Sequence, residues 1–376
     1  MHAKLARREF LCTSLYATVC AASWQATCGQ DKSQTSENLS WFNATQIGVE
    51  GKGWRDTERY FDRLPARAKD KVRPEVWNLS RHSAGMSVRF RTDAALVQTR
   101  YALLSPRLDM NHMPATGVSG LDLYAQDEQG RETWLAVTQP TDQKVDVTIA
   151  REIDQLSSGG LRTFCLYLPL YNGVDSLEIG IPSSAKFEAL APRVDKPIVF
   201  YGTSIMHGAC ASRPGMSITG IVGRRLNRST INLGFSGNGR MESEVGQFLA
   251  ELDASVFVID CLPNMNGPQV AQRAEPLVKQ LKAAQPSTPV LLVEDRSFTN
   301  ARFNRSRRDH HSASRAALQT AYKQLVASGI KDIFYLAGED LLGHDGEAAT
   351  DGSHPNDLGM MRYADAYERV LKPLLG

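Results

Sequence analysis

The sequence predicts two folds in series: an all-β sandwich over residues 39–192 and an α/β domain on a parallel sheet over residues 196–376. Three observations carry this. From about Leu39 to Pro192 apolar residues alternate with polar ones in short runs divided by turn signals, as half-buried strands do. From Lys196 onward β-branched runs alternate with helical stretches, which implies helical crossovers and a parallel sheet covered on both faces. Ala191-Pro192 and Lys196-Pro197 punctuate the change.

Taken in order, the chain opens on Arg7-Arg8-Glu9-Phe10-Leu11 and a mostly apolar stretch to Ala22 that ends in small residues. This is the layout of an export signal over residues 1–30, and the paired arginines resemble a twin-arginine signal. An ordinary secretory signal or an amphipathic terminal helix are the alternatives. Cys28 lacks the upstream leucine that a lipid-anchoring cysteine has. Met86 to Phe90, Leu121 to Tyr124 and Val145 to Ile149 then read as sandwich strands, with a turn at Asp127-Glu128-Gln129-Gly130. Several strands at this spacing imply two packed sheets. The loop Met110 to Gly117 holds Asn111 and His112 between two methionines. Either the thioethers pack a domain interface, or the loop walls a ligand crevice. Pro197 to Tyr201, Thr230 to Leu233, Ser255 to Cys261, Pro289 to Glu294 and Asp332 to Leu336 read as the parallel strands. Val270 to Ala284 and Ser312 to Ser328 are the clearest helices.

Composition excludes several functions. The 43 Lys and Arg balance 41 Asp and Glu, and without residues 1–30 the counts are 40 and 40, so no field tracks a nucleic acid or steers a charged partner. A neutral substrate is expected. No run approaches the roughly 18 to 20 apolar residues of a membrane span. Outside the leader only Cys165, Cys210 and Cys261 remain, which is no disulfide framework. Cys210 and Cys261 follow two separate core strands, so one bridge and buried free thiols are both open.

In sheets of this kind ligands gather at the carboxyl ends of the strands. The first parallel strand ends in Tyr201-Gly202-Thr203-Ser204-Ile205, where Ser204 is either a nucleophile or a helix cap. The second ends in the glycine-rich run Gly234-Phe235-Ser236-Gly237-Asn238-Gly239, and the third in Asp260-Cys261-Leu262-Pro263-Asn264-Met265. Near the C-terminus stands Asp351-Gly352-Ser353-His354. A serine attacks a carbonyl only when a base takes its proton, and a histidine does so when a carboxylate fixes its tautomer. Asp351 and His354, three apart on one loop, meet that need. Arg305, Arg307, Arg308, His310 and His311 suggest phosphate or metal binding, a solvated helix start, or a substrate-facing lid entered from Glu294-Asp295-Arg296. Adjacent helical histidines diverge, which argues against a metal.

This set, in this order, resembles the SGNH hydrolases, the GDSL-like esterases. Gly202-Thr203-Ser204-Ile205 stands for their first block, with Thr203 where an aspartate is usual. Gly237 stands for the second-block glycine, Asn264 for the third-block asparagine without its flanking glycine and aspartate, and Asp351 with His354 for the fifth block. Gly120-Leu121-Asp122-Leu123-Tyr124 resembles the signature of a β-sandwich that precedes some exported members acting on carbohydrate esters. The resemblance implies a flavodoxin-like three-layer α/β/α domain with a five-stranded sheet, behind a jelly-roll-like sandwich. It further implies a Ser204, His354 and Asp351 triad and an oxyanion hole of the Ser204 and Gly237 amides and the Asn264 side chain. No metal or cofactor is needed. The expected function is an exported serine esterase for short acyl esters of carbohydrates, acetyl first, with Asn111, His112, Met265, Arg296 and His310 as candidate substrate contacts. A lysophospholipase or general short-chain esterase is the alternative enzyme, and an inactive carbohydrate-binding protein the alternative of another class.

Overall fold

The computed structural model describes residues 38–375, so the export signal expected over residues 1–30 lies outside the described residues. The first half holds nine strands: β1 (Leu39–Asn43), β2 (Ser87–Thr92), β3 (Val97–Leu103), β4 (Asp122–Gln126), β5 (Glu132–Val137), β6 (Lys144–Ala150), β7 (Arg162–Tyr167), β8 (Val174–Pro182) and β9 (Phe187–Ala189). They form two antiparallel sheets, in the orders β1-β8-β3-β6 and β5-β4-β7-β2-β9. Each of the pairs β1 with β8, β2 with β7, β3 with β6 and β4 with β5 folds the chain back on itself. That nesting is the jelly roll. In β3 the residues Val97, Thr99, Tyr101 and Leu103 turn inward, and Val97, Tyr101 and Leu103 join Val88, Phe90, Leu121, Leu123, Phe164 and Ile179 in the sandwich core. Three short helices, α1 (Ala44–Ile47), α2 (Pro74–Ser80) and α3 (Ala115–Val118), lie in the connections.

The second half carries strands β10 (Ile198–Gly202), β11 (Thr230–Gly234), β12 (Val256–Asp260), β13 (Val290–Val293) and β14 (Ile333–Leu336), all parallel, in the order β11-β10-β12-β13-β14. This is the doubly wound order whose switch point lies between the first two strands in sequence and the third. Helices α4 (Ser204–His207), α5 (Ile218–Leu226), α6 (Ser243–Leu249), α7 (Gly267–Ala284), α8 (Arg305–Ala327) and α9 (Asp357–Leu375) complete it. Alternate strand residues feed two cores. Val199, Tyr201, Phe257, Ile259 and Leu292 pack with α6, α7 and α8, while Ile198, Phe200, Val258 and Leu291 pack with α4, α5 and α9. A sheet buried on both faces explains the unbroken apolar runs.

Several elements depart from the sequence pattern. Helix α7 begins three residues before Val270 because Asn266 and Gln269 form a capping box. Helix α8 begins at Arg305 because Asn304 accepts from the Arg307 amide; its first two turns are polar and show no apolar period. Leu121 to Tyr124 is no strand with one wet face. All four residues are buried, Leu121 and Leu123 in the sandwich and Asp122 against the α/β half. There Asp122 accepts from Arg213 Nη1 at 3.0 Å and the Gly215 amide at 2.8 Å, and it also accepts from Trp134 Nε1 of β5 at 3.0 Å. Between β1 and β2, Trp54, Leu64, Val76 and Trp77 pack into the α/β core beside Phe248. Cys165, Cys210 and Cys261 are free and buried.

Candidate active site

The carboxyl ends of β10, β11 and β12 bring the predicted residues together. Strand β10 ends at Gly202, and Thr203 takes the capping role: its side chain accepts from the Ile205 amide at 3.2 Å. Ser204 is therefore the first helical residue rather than the cap. Its Oγ lies 2.8 Å from His354 Nε2, and His354 Nδ1 lies 2.8 Å from Asp351 Oδ2. The other carboxylate oxygen of Asp351 accepts from the amides of Ser353 at 2.9 Å and His354 at 2.8 Å. Partial burial pushes the Asp351 carboxyl up. The amides and the imidazole outweigh it and hold the group at about 2. A carboxylate ionised at every ordinary pH fixes the proton on Nδ1 and leaves Nε2 free to take one from Ser204.

Ser204, Gly237 and Asn264 line one cavity, and each offers it an N–H group without a partner among the described residues. The Ser204 amide is the first of a helix, so no carbonyl of α4 precedes it. Gly237 has φ +69, a left-handed conformation in open space, and among the described residues no acceptor meets its amide. Asn264, on a single 3₁₀ turn after β12, has a buried Nδ2 with no partner. Gly239 lets this loop close on the strand end, since a Cβ there would come within 1.9 Å of the Gly202 carbonyl.

Ser204, Gly237, Asn264 and His354 line one cavity of about 510 Å³ with Ile205, Pro263, Phe298 and Arg307. The expected substrate contacts divide. His310 lines this cavity, its Nε2 3.8 Å from Asp295 Oδ2. Arg296 lines it too, yet is only 1% exposed; it ion-pairs with Asp295 and donates from Nε to the Ser353 carbonyl at 3.2 Å, bracing the loop of Asp351 and His354. His112 stands with its ring centroid 6.1 Å from that of His354, so the sandwich half reaches the site, while Asn111 is exposed beside it. Met113 packs in the α/β core, as a thioether at the interface does, and neither Asn111 nor His112 is among the residues that line the cavity. The expectation for Met265 is overturned: the side chain is fully buried in the core, because at the end of a one-turn helix the apolar residue falls inward while Asn264 faces the cavity. Among the described residues no group of three or more His, Cys, Asp or Glu converges as a metal ion needs, and His311 is buried against Phe298.

Behind the serine lies a cluster that no sequence signal announces. Arg63 is fully buried and donates to the carbonyls of Asn232 at 3.0 Å and Gly234 at 2.8 Å, at the root of the Gly237 loop. Its Nη2 is 3.4 Å from His207 Nε2, and His207 stacks on Tyr171. No motif marks Arg63, because its partners are backbone atoms far along the chain.

Known proteins share this fold. Residues 195–372 match the GDSL-like lipase/acylhydrolase family, and residues 39–187 match the N-terminus of SGNH-hydrolase-type esterases. A GDSL-like lipase from Bacteroides ovatus ATCC 8483 shares 30% identity with a TM-score of 0.85, over 90% of this chain and 98% of its own. The salicylyl-acyltransferase SsfX3 of a tetracycline biosynthetic pathway shares 17% identity, with a TM-score of 0.66 over 89% and 94% of the two chains. A family two carbohydrate esterase from Cellvibrio japonicus shares 11% identity, with a TM-score of 0.58 over 90% and 98%. No curated protein matches the sequence. With family matches on both halves and a relative of that identity along nearly its whole length, the chain belongs to the GDSL-like lipase/acylhydrolase family, the SGNH ester hydrolases.

Proposed function

We propose that the protein is an exported serine esterase that removes short acyl groups, acetyl foremost, from carbohydrates. The observation that carries this is the hydrogen-bonded line from Asp351 through His354 to Ser204, which shares its cavity with an unpartnered Asn264 amide. Ser204 Oγ attacks the ester carbonyl as His354 Nε2 takes its proton. The oxygen that gains charge sits among the Ser204 and Gly237 amides and Asn264 Nδ2. His354 then gives its proton to the departing sugar hydroxyl, and the acyl group stays on Ser204. Water, deprotonated by the same imidazole, attacks the acyl-enzyme; the acid leaves and Ser204 regains its proton.

The carbohydrate side of the proposal draws on the Cellvibrio japonicus esterase, which shares the two-part fold. Export rests on Arg7-Arg8 and the apolar run behind them. Among the described residues no helix is long and apolar enough to cross a membrane. The test is a series of acyl esters of one sugar, from acetyl to octanoyl, with product analysis. The proposal expects kcat/KM to fall as the chain grows and free acid to be the product. Rates that climb toward octanoyl favour a lipid esterase, and acyl transfer to an added alcohol in place of water favours an acyltransferase.

A further inference from the structure

The charge balance of the chain says little about its catalytic cavity. None of the residues lining that cavity is a carboxylate, and two are arginines. Arg296 is neutralised, since Asp295 pairs with it inside the protein. Arg307 is not. Its Nη1 donates to Asn300 Oδ1 at 3.1 Å and to the Asp351 carbonyl at 2.9 Å, both uncharged acceptors, and among the described residues no carboxylate pairs with it. The Asp351 carboxylate nearby is engaged by His354.

Arg307 is also held in place. Its Cζ lies 5.1 Å from the centroid of Phe298, whose ring lies 4.0 Å from Arg296 Cζ, so one aromatic ring fixes the positions of two guanidiniums. Gly352, with φ +83, clears the space on the other side: a Cβ there would come within 2.5 Å of Arg307 Nη1. A fixed guanidinium with unused N–H groups beside a cavity matches a carboxylate, which it binds through two parallel bonds. The side of the cavity matters as well. Arg307 rests on the loop that carries His354, and His354 must reach the oxygen of the departing alcohol. A group bound by Arg307 therefore belongs to the alcohol rather than to the acyl part.

We infer that the alcohol released by this esterase carries a carboxylate bound by Arg307, which makes the substrate an acyl ester of an acidic sugar such as a uronate. This rests on the esterase reading above. It replaces the neutral substrate expected from the net charge, because a net charge averages over the surface and a pocket responds to the groups that line it.

The experiment compares an O-acetylated methyl uronoside with its methyl ester, which differs only in the masked carboxylate, and runs 4-nitrophenyl acetate beside them. The inference expects kcat/KM for the free acid to exceed that for the masked one by about tenfold or more, mostly through KM. The difference should shrink in 1 M NaCl. In Arg307→Gln the ratio between the two sugars should collapse toward one, and in Arg307→Lys part of it should persist. A ratio isolates recognition from any general damage to the loop; if Arg307→Gln does not fold, the wild-type ratio and its salt dependence decide. Equal rates on the two sugars, or a ratio that survives Arg307→Gln, overturn the inference while leaving the esterase reading intact. Failure on both sugars and on 4-nitrophenyl acetate overturns the esterase reading and the inference together.

Discussion

Asn264 is the residue whose environment most plainly lacks a partner. Its amide nitrogen is buried with nothing to donate to, a state that a core does not ordinarily keep. If that donor serves a developing oxyanion, Asn264→Ala lowers kcat by about 10²–10³, the usual loss for one such donor. Thermal unfolding should be unchanged or shifted slightly upward, because no hydrogen bond of the resting protein is lost. Steady-state kinetics and a melting curve check both halves; a lowered melting temperature with unimpaired kinetics would make the residue structural. Ser204, Gly237, Asn264, Asp351 and His354 were legible in the sequence because each sits next to a strand end or turn that its own neighbours announce. Met265 is the exception, and Arg296, although it lines the cavity, is taken up by Asp295. Loop position says that a side chain is near the rim but not which way it turns, and inward burial and the Asp295 pair decided those two. Phe298, which organises two guanidiniums, had no signal beyond being an aromatic in a loop.

At the scale of elements, the parallel strands were legible almost to the residue, since apolar runs that stop at small polar residues fit little else than buried strands ending at a sheet rim. Helix starts were not. Capping by Asn266 and Asn304 extends α7 and α8 beyond the apolar period that defined them. Strand β4 shows the sharper failure. Alternation implies one wet face, but Asp122 faces the α/β half, where Arg213 and Gly215 donate to it, with Trp134 of the neighbouring strand β5 as a third donor. Removing one partner of a buried ion pair leaves the other uncompensated, so Asp122→Ala should cost about 3–5 kcal/mol of stability. Asp122→Asn, which keeps an acceptor for the Gly215 amide, should cost less. Urea unfolding of the two variants measures this, and equal, small losses would mean that β4 holds the halves together by apolar packing alone.

Over the whole molecule, the two halves share buried titratable groups that link folding to pH. Burial, and then Arg63, drives His82 down to about 3 and His207 well below the ordinary 6.5. Between pH 6.5 and about 3 the unfolded chain binds protons that these rings refuse, so stability falls as the pH drops. Asp260 works in the opposite sense. Burial raises it from 3.8 to about 7 against the bond from Tyr367, so the folded chain keeps a proton that the unfolded chain loses. Its contribution is full below pH 3.8, is lost as the pH rises to about 7, and is flat beyond. Asp260→Asn mimics the protonated form, so its melting temperature relative to the parent should be higher at pH 8 than at pH 5; a difference that stays constant would show that Asp260 does not titrate between the two values. These groups were invisible in the sequence, because residues distant along the chain bury them. Every function proposed for the molecule depends on Ser204 being a nucleophile activated by His354. Labelling with a serine-reactive fluorophosphonate, followed by peptide mass spectrometry, tests this directly. One adduct on Ser204, lost in Ser204→Ala and formed far more slowly in His354→Ala, is the predicted result; labelling of another residue, or labelling of Ser204 at an undiminished rate without His354, would contradict it.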